Sequence, residues 1–235
     1  SSLGHPDNDP YQPFRRADVG LWGGILAYQT GILDPMSDAQ DNKQYTVANN
    51  LATGSRINPS MRNVNKGSID EYSISGGFNI QNILYLGFTI GIQDILYRND
   101  NYYAETYDNN SLPLNGMNYI RSLHLDGTGV NFKFGAVVRP VENLRIGVAV
   151  HTPTLVSINE EYIEWMSADY KNPARGELLD SPRSLNEYDI NTPTRLLTGI
   201  SYTLPGVGLI TADYERVWYN RMKLRNMGTE NWDFQ

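Results

Sequence analysis

Residues 72–92 read YSISGGFNIQNILYLGFTIGI, and their spacing decides the fold. The even positions carry Tyr72, Ile74, Gly76, Phe78 and Ile80, while Ser73, Ser75, Gly77 and Asn79 stand between them. Past Gln81 and Asn82 the alternation resumes, with Leu84, Leu86, Phe88, Ile90 and Ile92 against Tyr85, Gly87, Thr89, Gly91 and Gln93. Successive side chains of a strand point to opposite faces, so a period of two gives one apolar and one polar face. Two such runs about a two-residue connection predict a tight hairpin.

The pattern recurs twice. Val130, Phe132, Phe134, Ala136 and Val138 alternate with Asn131, Lys133 and Gly135. After the connector RPVEN (139–143), Leu144, Ile146, Val148 and Val150 alternate with Arg145, Gly147 and Ala149. A third hairpin starts at Arg195 and turns at PGVG (205–208), although Leu197 and Leu209 fall on its nominally polar face. Hairpins are thus expected near 70–98, 127–151 and 193–220. The stretches 98–126 and 155–190 have loop composition and are expected as long connections. Every connection at one end of the sheet is then short and every one at the other long. Residues 21–35 fit a strand or a short helix equally, and the whole chain, 1–235, reads as one domain.

Composition narrows the classes. The 235 residues include 16 Tyr but only 6 Phe, no Cys, and a net charge of −7. Amphipathic aromatics suit places where apolar surface meets water. The acidity argues against nucleic acid as a partner, since binding it needs a basic footprint. Absence of Cys removes disulfides and thiolate metal sites. No run approaches the ~18 apolar residues of a membrane helix, and SSLGHPDNDP at the start lacks the features of a signal peptide.

Alternation of this kind suits an up-and-down transmembrane barrel with its apolar face outward, or a soluble barrel or sandwich with that face inward. The runs are long for globular strands and match the ~9–11 residues of a tilted membrane strand. Short turns at one end and long loops at the other also fit an outer-membrane barrel. Glycines on the polar face (87, 91, 135, 147 and 199) mark bending or close approach.

The three segments SIDEYSISGGFNIQNILYLGFTIGIQDILYR (68–98), GTGVNFKFGAVVRPVENLRIGVAVHTPT (127–154) and YDINTPTRLLTGISYTLPGVGLITADYE (188–215) resemble the FadL/TodX outer-membrane transport family, in its Bacteroides-type branch. The likeness spans roughly residues 67–220. It implies an all-β, antiparallel up-and-down transmembrane β-barrel of the FadL type, its lumen closed by an N-terminal hatch. It also implies passive uptake of hydrophobic small molecules such as long-chain fatty acids across the outer membrane of a Gram-negative bacterium. The expected partners are therefore outer-membrane lipid and a hydrophobic ligand. About six to eight strands are legible here, too few to close around a lumen, so a central portion of a longer protein is expected.

In that frame Leu84, Leu86, Phe88, Ile90, Phe132, Phe134, Ile146 and Val148 would face lipid. Lys133, Arg145, Arg195, Asp213 and Glu215 would face the lumen, either as an internal ion-pair network or with one cation holding a ligand carboxylate. Tyr102, Tyr103, Tyr162 and Trp165 would offer aromatic surface at the outer end, or an aromatic girdle. Two near-identical tetrapeptides, HTPT (151–154) and NTPT (191–194), are expected side by side at the rim, because Pro belongs at strand ends. Catalysis is not expected. Among the three His residues, His124 and Asp126 share a strand face, but no nucleophile accompanies them. His151 with loop carboxylates lacks metal-ligand spacing, so neither a metal nor a cofactor is expected. The alternatives in other classes are a barrel component of a secretion or assembly machinery, and a soluble β-rich binding module.

Overall fold

The computed structural model describes residues 12–15, 17–35, 45–47, 56–108, 113–172, 178–226 and 231–233. Two short helices, α1 (Gln12–Arg15) and α2 (Trp22–Gln29), precede a succession of strands. These are β1 (Leu33–Pro35), β2 (Tyr45–Val47), β3 (Ile57–Ile80), β4 (Leu84–Tyr107), β5 (Leu114–Val141), β6 (Leu144–His151), β7 (Leu155–Tyr170), β8 (Leu178–Asp180), β9 (Ser184–Asn191), β10 (Arg195–Leu204), β11 (Gly208–Val217), β12 (Lys223–Asn226) and β13 (Asn231–Asp233). β1 and β2 pair with each other; the other eleven form one sheet. β3, β4 and β5 are neighbours in that order, and β5 also pairs with both β6 and β7. From β6 the sheet runs to β10 and β11, and from β7 to β9, β12 and β13, with β8 also on β7. The protein is all-β with an antiparallel sheet, as the period of two requires.

The turns follow from their residues. Gln81 and Asn82 both take positive φ, 54° and 58°, the pattern of a type I′ hairpin. Asn79 Oδ1 accepts from the Asn82 backbone N–H at 2.9 Å, which stabilises that bend. Between β10 and β11, Pro205 and Gly206 occupy the positions a type II turn demands, with Gly206 at φ 72°. The connector expected over 139–143 is shorter in fact. β5 continues to Val141 through an irregularity between Val138 and Val141, where Pro140 has no N–H to give the ladder.

The expected loops need correction. Residues 98–126 and 155–190 are mostly strand: β4 reaches Tyr107, β5 begins at Leu114, and β7, β8 and β9 fill most of the second stretch. Residues 109–112 and 173–177 of these stretches lie outside the described residues. The polar composition misled because those side chains bond one another across strands. Asn99 donates to Asn63 at 2.9 Å and also to Asn65, and Ser122 donates to Asp100 at 2.6 Å. Tyr and Thr among them favour strands. β3 and β4 are consequently 24 residues each and β5 28, well beyond the run lengths expected. The segment 21–35 is helical over Trp22–Gln29 and ends in the short strand β1, Leu33–Pro35.

The chain divides into two compact units. The first comprises Ser1–Lys66, Arg98–His124 and Glu160–Leu185. Its core gathers Phe14, Trp22, Leu26, Ala27, Ile32, Leu114, Met166 and Ala168. α2 turns Trp22, Leu26 and Ala27 into this core. Gly23 permits the approach, since a Cβ there would lie 2.7 Å from the Tyr119 hydroxyl. The helix ends in a Schellman motif: Gly31 takes φ +75°, its N–H bonds Tyr28 O, and Ile32 N–H reaches back to Ala27 O at 2.8 Å. Beneath the helix the buried Glu164 accepts from the Tyr162 hydroxyl at 2.5 Å. Burial and this carboxylate together push the Tyr162 and Tyr119 phenols above their ordinary range.

The second unit comprises Gly67–Tyr97, Leu125–Asn159 and Asn186–Gln235. The two Thr-Pro tetrapeptides meet within it. His151 and Arg195 end the β6–β10 ladder opposite each other. Past the prolines Thr154 and Thr192 take up the same register, with Thr154 N–H on Thr192 Oγ1 at 2.7 Å and Thr192 N–H on Thr154 O at 3.1 Å. Thr152 closes the β5–β6 ladder, its Oγ1 accepting from Phe132 N–H at 2.9 Å. Each proline stands where a donor is not needed, and the flanking threonines supply the missing bonds.

Candidate functional site

The ladders of the second unit place the sequence-derived residues in rows. On one face Lys133, His151, Arg195 and Val217 stand opposite one another across β5, β6, β10 and β11. The next row holds Gly135, Ala149, Leu197 and Glu215, and the one after it Val137, Gly147, Gly199 and Asp213. Arg145 pairs with Ser201 and opens a further row. All five residues expected on the lumen side therefore share one face, with Lys133 and Arg195 at one level and Glu215, Asp213 and Arg145 each at another.

Between the basic row and Arg145 the glycines leave a trough of about 660 Å³. Its side walls come from Tyr85, Val137, Ala149 and Leu197, with Asp213 and Glu215 along the β11 side. An alanine at position 199 would collide with the Asp213 carboxylate, so that glycine makes room for the acid. The trough is mainly apolar, with charge confined to its margins, the composition usual for a ligand site.

The cations are not free. Lys133 Nζ donates to Glu71 Oε1, and Glu71 Oε2 accepts from Gln93 Nε2 at 2.8 Å and from Asn131 Nδ2 at 3.4 Å. Gly91 lies against this cluster; a Cβ there would sit 2.8 Å from Asn131 Oδ1. Arg195 pairs with Glu215 at 3.7 Å. Among the described residues, Arg145 and Asp213 make no ion pair. An ion-pair network is therefore present, but its acid on the Lys133 side is Glu71, which the sequence reading did not name. Glu71 sits two residues before Ser73 and so belongs to the same polar alternation. Leu197 had registered only as a break in the pattern, and it is a wall of the trough.

The opposite face of the same unit carries the residues expected to meet lipid. Leu86, Phe88, Ile90, Phe132, Phe134, Ile146 and Val148 are all exposed, Phe134 at 55%, and Leu84 is half-buried. Phe78, Ile200, Ile210 and Tyr214 extend this exposed apolar surface.

In the first unit Tyr102 and Trp165 line a cleft of about 460 Å³ with Arg62, Ile120 and Leu178; Tyr103 also borders it, but its hydroxyl is turned to Glu105 on the alternate face of β4. The Arg62 guanidinium lies 4.4 Å from the centroid of the Tyr102 ring. Tyr103 donates to Glu105 at 2.5 Å, and that bond, with burial, raises its phenol above the ordinary range. Tyr162 does not join them. It packs against Trp22 with ring centroids 6.3 Å apart and belongs to the core side of β7. Neighbours along a strand point to opposite faces, which separates Tyr162 from Trp165.

His124 is exposed, and Asp126 Oδ2 accepts from Asn159 Nδ2 at 2.9 Å. Among the described residues no three His, Cys, Asp or Glu side chains gather as metal ligands would, and no helix is long and apolar enough to cross a membrane. No protein-family model matches the chain, and no curated protein matches it.

Proposed function

We propose that this chain is part of an outer-membrane transport protein of a Gram-negative bacterium, of the FadL type, passing hydrophobic small molecules such as long-chain fatty acids without an energy source. The observation that carries the reading is the burial pattern of the second unit. Its largest apolar side chains stand exposed on one face, while hydrogen bonds and ion pairs occupy the other. Apolar surface in water is unfavourable by roughly 25 cal/mol per Å², whereas hydrocarbon removes that cost. A contiguous exposed patch of this kind marks a membrane or partner surface. The wording of residues 67–220, with its likeness to the FadL/TodX family, points the same way.

The trough supports a ligand with an apolar body. A tail would lie over Val137, Ala149 and Leu197 across the glycine floor. A carboxylate head would sit toward Lys133 and Arg195, away from Asp213. Glu71 and Glu215 already engage those cations, so the head would share them rather than meet bare charge. This favours passage over tight capture.

Reconstitution of the full-length protein in lipid vesicles tests the reading. Uptake of a fluorescent long-chain fatty acid should exceed that of protein-free vesicles, and Gly147→Phe, which fills the trough, should return it toward the protein-free level. A full-length protein that stays monomeric and soluble without detergent would refute the membrane reading. Uptake unchanged by the protein would refute transport.

A further inference from the structure

One segment runs against the acidity of the chain. From Arg216 to Arg225 the sequence reads RVWYNRMKLR, with four basic residues and no acid, in a protein of net charge −7. Arg216 and Arg221 both approach the same indole: their guanidinium carbons lie 5.2 Å and 6.0 Å from the Trp218 ring centroid. The two cations are therefore no further apart than the sum of those distances. Among the described residues neither has a carboxylate partner.

The ladders say which face this is. Arg216 stands opposite Leu196, which stands opposite Val150, which stands opposite Phe134. Arg216 thus ends the exposed apolar face of β11, after Ile210 and Tyr214. The acids of that strand, Asp213 and Glu215, alternate to the other face. Trp218 lies one step beyond, its N–H bonded to Thr194 O at the Thr-Pro rim.

We infer that Arg216, Trp218 and Arg221 form a docking site for the anionic phosphate headgroup of a membrane lipid. The inference rests on the membrane reading of the apolar face. An indole at the end of an apolar band sits at the level of the headgroups. Arginine presents a planar fork that matches phosphate oxygens, and Trp218 brings two such forks to one place on the rim. An acyl chain attached to that head would run along Tyr214, Ile210 and their neighbours.

The test uses the full-length protein in neutral detergent, titrated with phosphatidic acid or with phosphatidylcholine and followed by native mass spectrometry. Wild type should retain phosphatidic acid in preference to phosphatidylcholine. Arg216→Gln with Arg221→Gln should lower its retention by about thirtyfold, from the loss of two basic residues near a lipid surface. Phosphatidylcholine retention should not change. Arg216→Lys with Arg221→Lys keeps the charge and serves as the folding control, with intermediate retention. Equal phosphatidic acid retention by the glutamine variant overturns the site, as does its complete displacement by millimolar inorganic phosphate, which would make it a free-anion site. Either result leaves the detergent requirement intact, whereas a protein that needs no detergent would remove the membrane reading itself.

Discussion

The two units of this protein treat apolar side chains in opposite ways. In the first, Leu26 is 0% exposed within a core shared by a helix and strands. In the second, Phe134 is 55% exposed and Phe78 63%, and their face is continuous with Phe88, Ile146 and Ile200. The same residue types therefore form a closed core in one region and a continuous exposed face in the other, although Leu178 and Leu185 of the first unit are also exposed and Val156 and Ile158 of the second are buried. Burial in the first follows the ordinary rule for a water-soluble fold. Display in the second is what the proposed function accounts for by placing hydrocarbon against that face. The contrast extends to polar groups. The first unit buries Glu164 under two tyrosines, while the second gathers Glu71, Gln93, Asn131 and Lys133 on the face away from its phenylalanines.

That contrast can be broken experimentally, beginning with the largest effect. Leu26→Ala should cost the first unit about 2–5 kcal/mol, because a buried leucine leaves a cavity as well as lost transfer energy. Urea unfolding with Trp22 fluorescence reads this, and a loss below ~1 kcal/mol would mean that the core is not closed around α2. Next comes Phe134→Arg. Facing hydrocarbon, it should lower stability in lipid vesicles by about 2–4 kcal/mol; facing water, an exposed substitution should stay within about 0.5 kcal/mol. The second result would erase the distinction between the units.

Smaller effects sharpen the picture. Thr192→Val removes the acceptor of the Thr154 N–H and should cost about 1 kcal/mol, the usual worth of such a bond. Hydrogen exchange should then quicken at Thr154 while the interior of β6 keeps its protection. The smallest effect concerns pH. Burial alone would raise the Asp100 carboxyl, but the Ser122 hydroxyl and the Arg98 guanidinium outweigh it and hold the group below its ordinary 3.8. A depressed folded value means that the stabilisation is complete above the unfolded carboxylate range. It is lost as pH falls from about 3.8 through the folded value. Asp100→Asn should therefore weaken the first unit at pH 7 and converge with wild type in strong acid. A constant difference at all pH values would show that the carboxylate charge is not involved.

The parts of this structure that local pattern encodes were legible in advance. Alternation at 72–92 determines two strands and a turn, because only a period of two segregates those side chains. Gln81 and Asn82 were marked by polarity, and the structure adds their positive φ. The prolines at 153 and 193 were marked as strand ends, and the Thr154–Thr192 bonds show how the ends are joined. The glycines of the polar face signalled close approach, and four of them, at 87, 135, 147 and 199, prove to line one trough.

Other parts depend on partners distant in sequence. Nothing local in NDNYYAETYDNN distinguishes a loop from a strand in which the first of these residues, Asn99, is bonded to Asn63 and Asn65 of β3. Glu71 and Lys133 are 62 residues apart, so their pairing follows from the order of β3, β4 and β5 rather than from any motif. Tyr162 and Trp165 looked equivalent until the pleat assigned one to the core and the other to a cleft.

What the amino-acid sequence by itself determined is therefore the strand character of the hairpins, the two-faced chemistry of each, and the positions where strands must end, since these follow from backbone geometry and the order of side chains. What only the tertiary structure decided is which strands adjoin, and hence which charges meet, which glycines align, and which apolar face is left uncovered. Those are properties of register between distant segments, and register is set by the whole sheet.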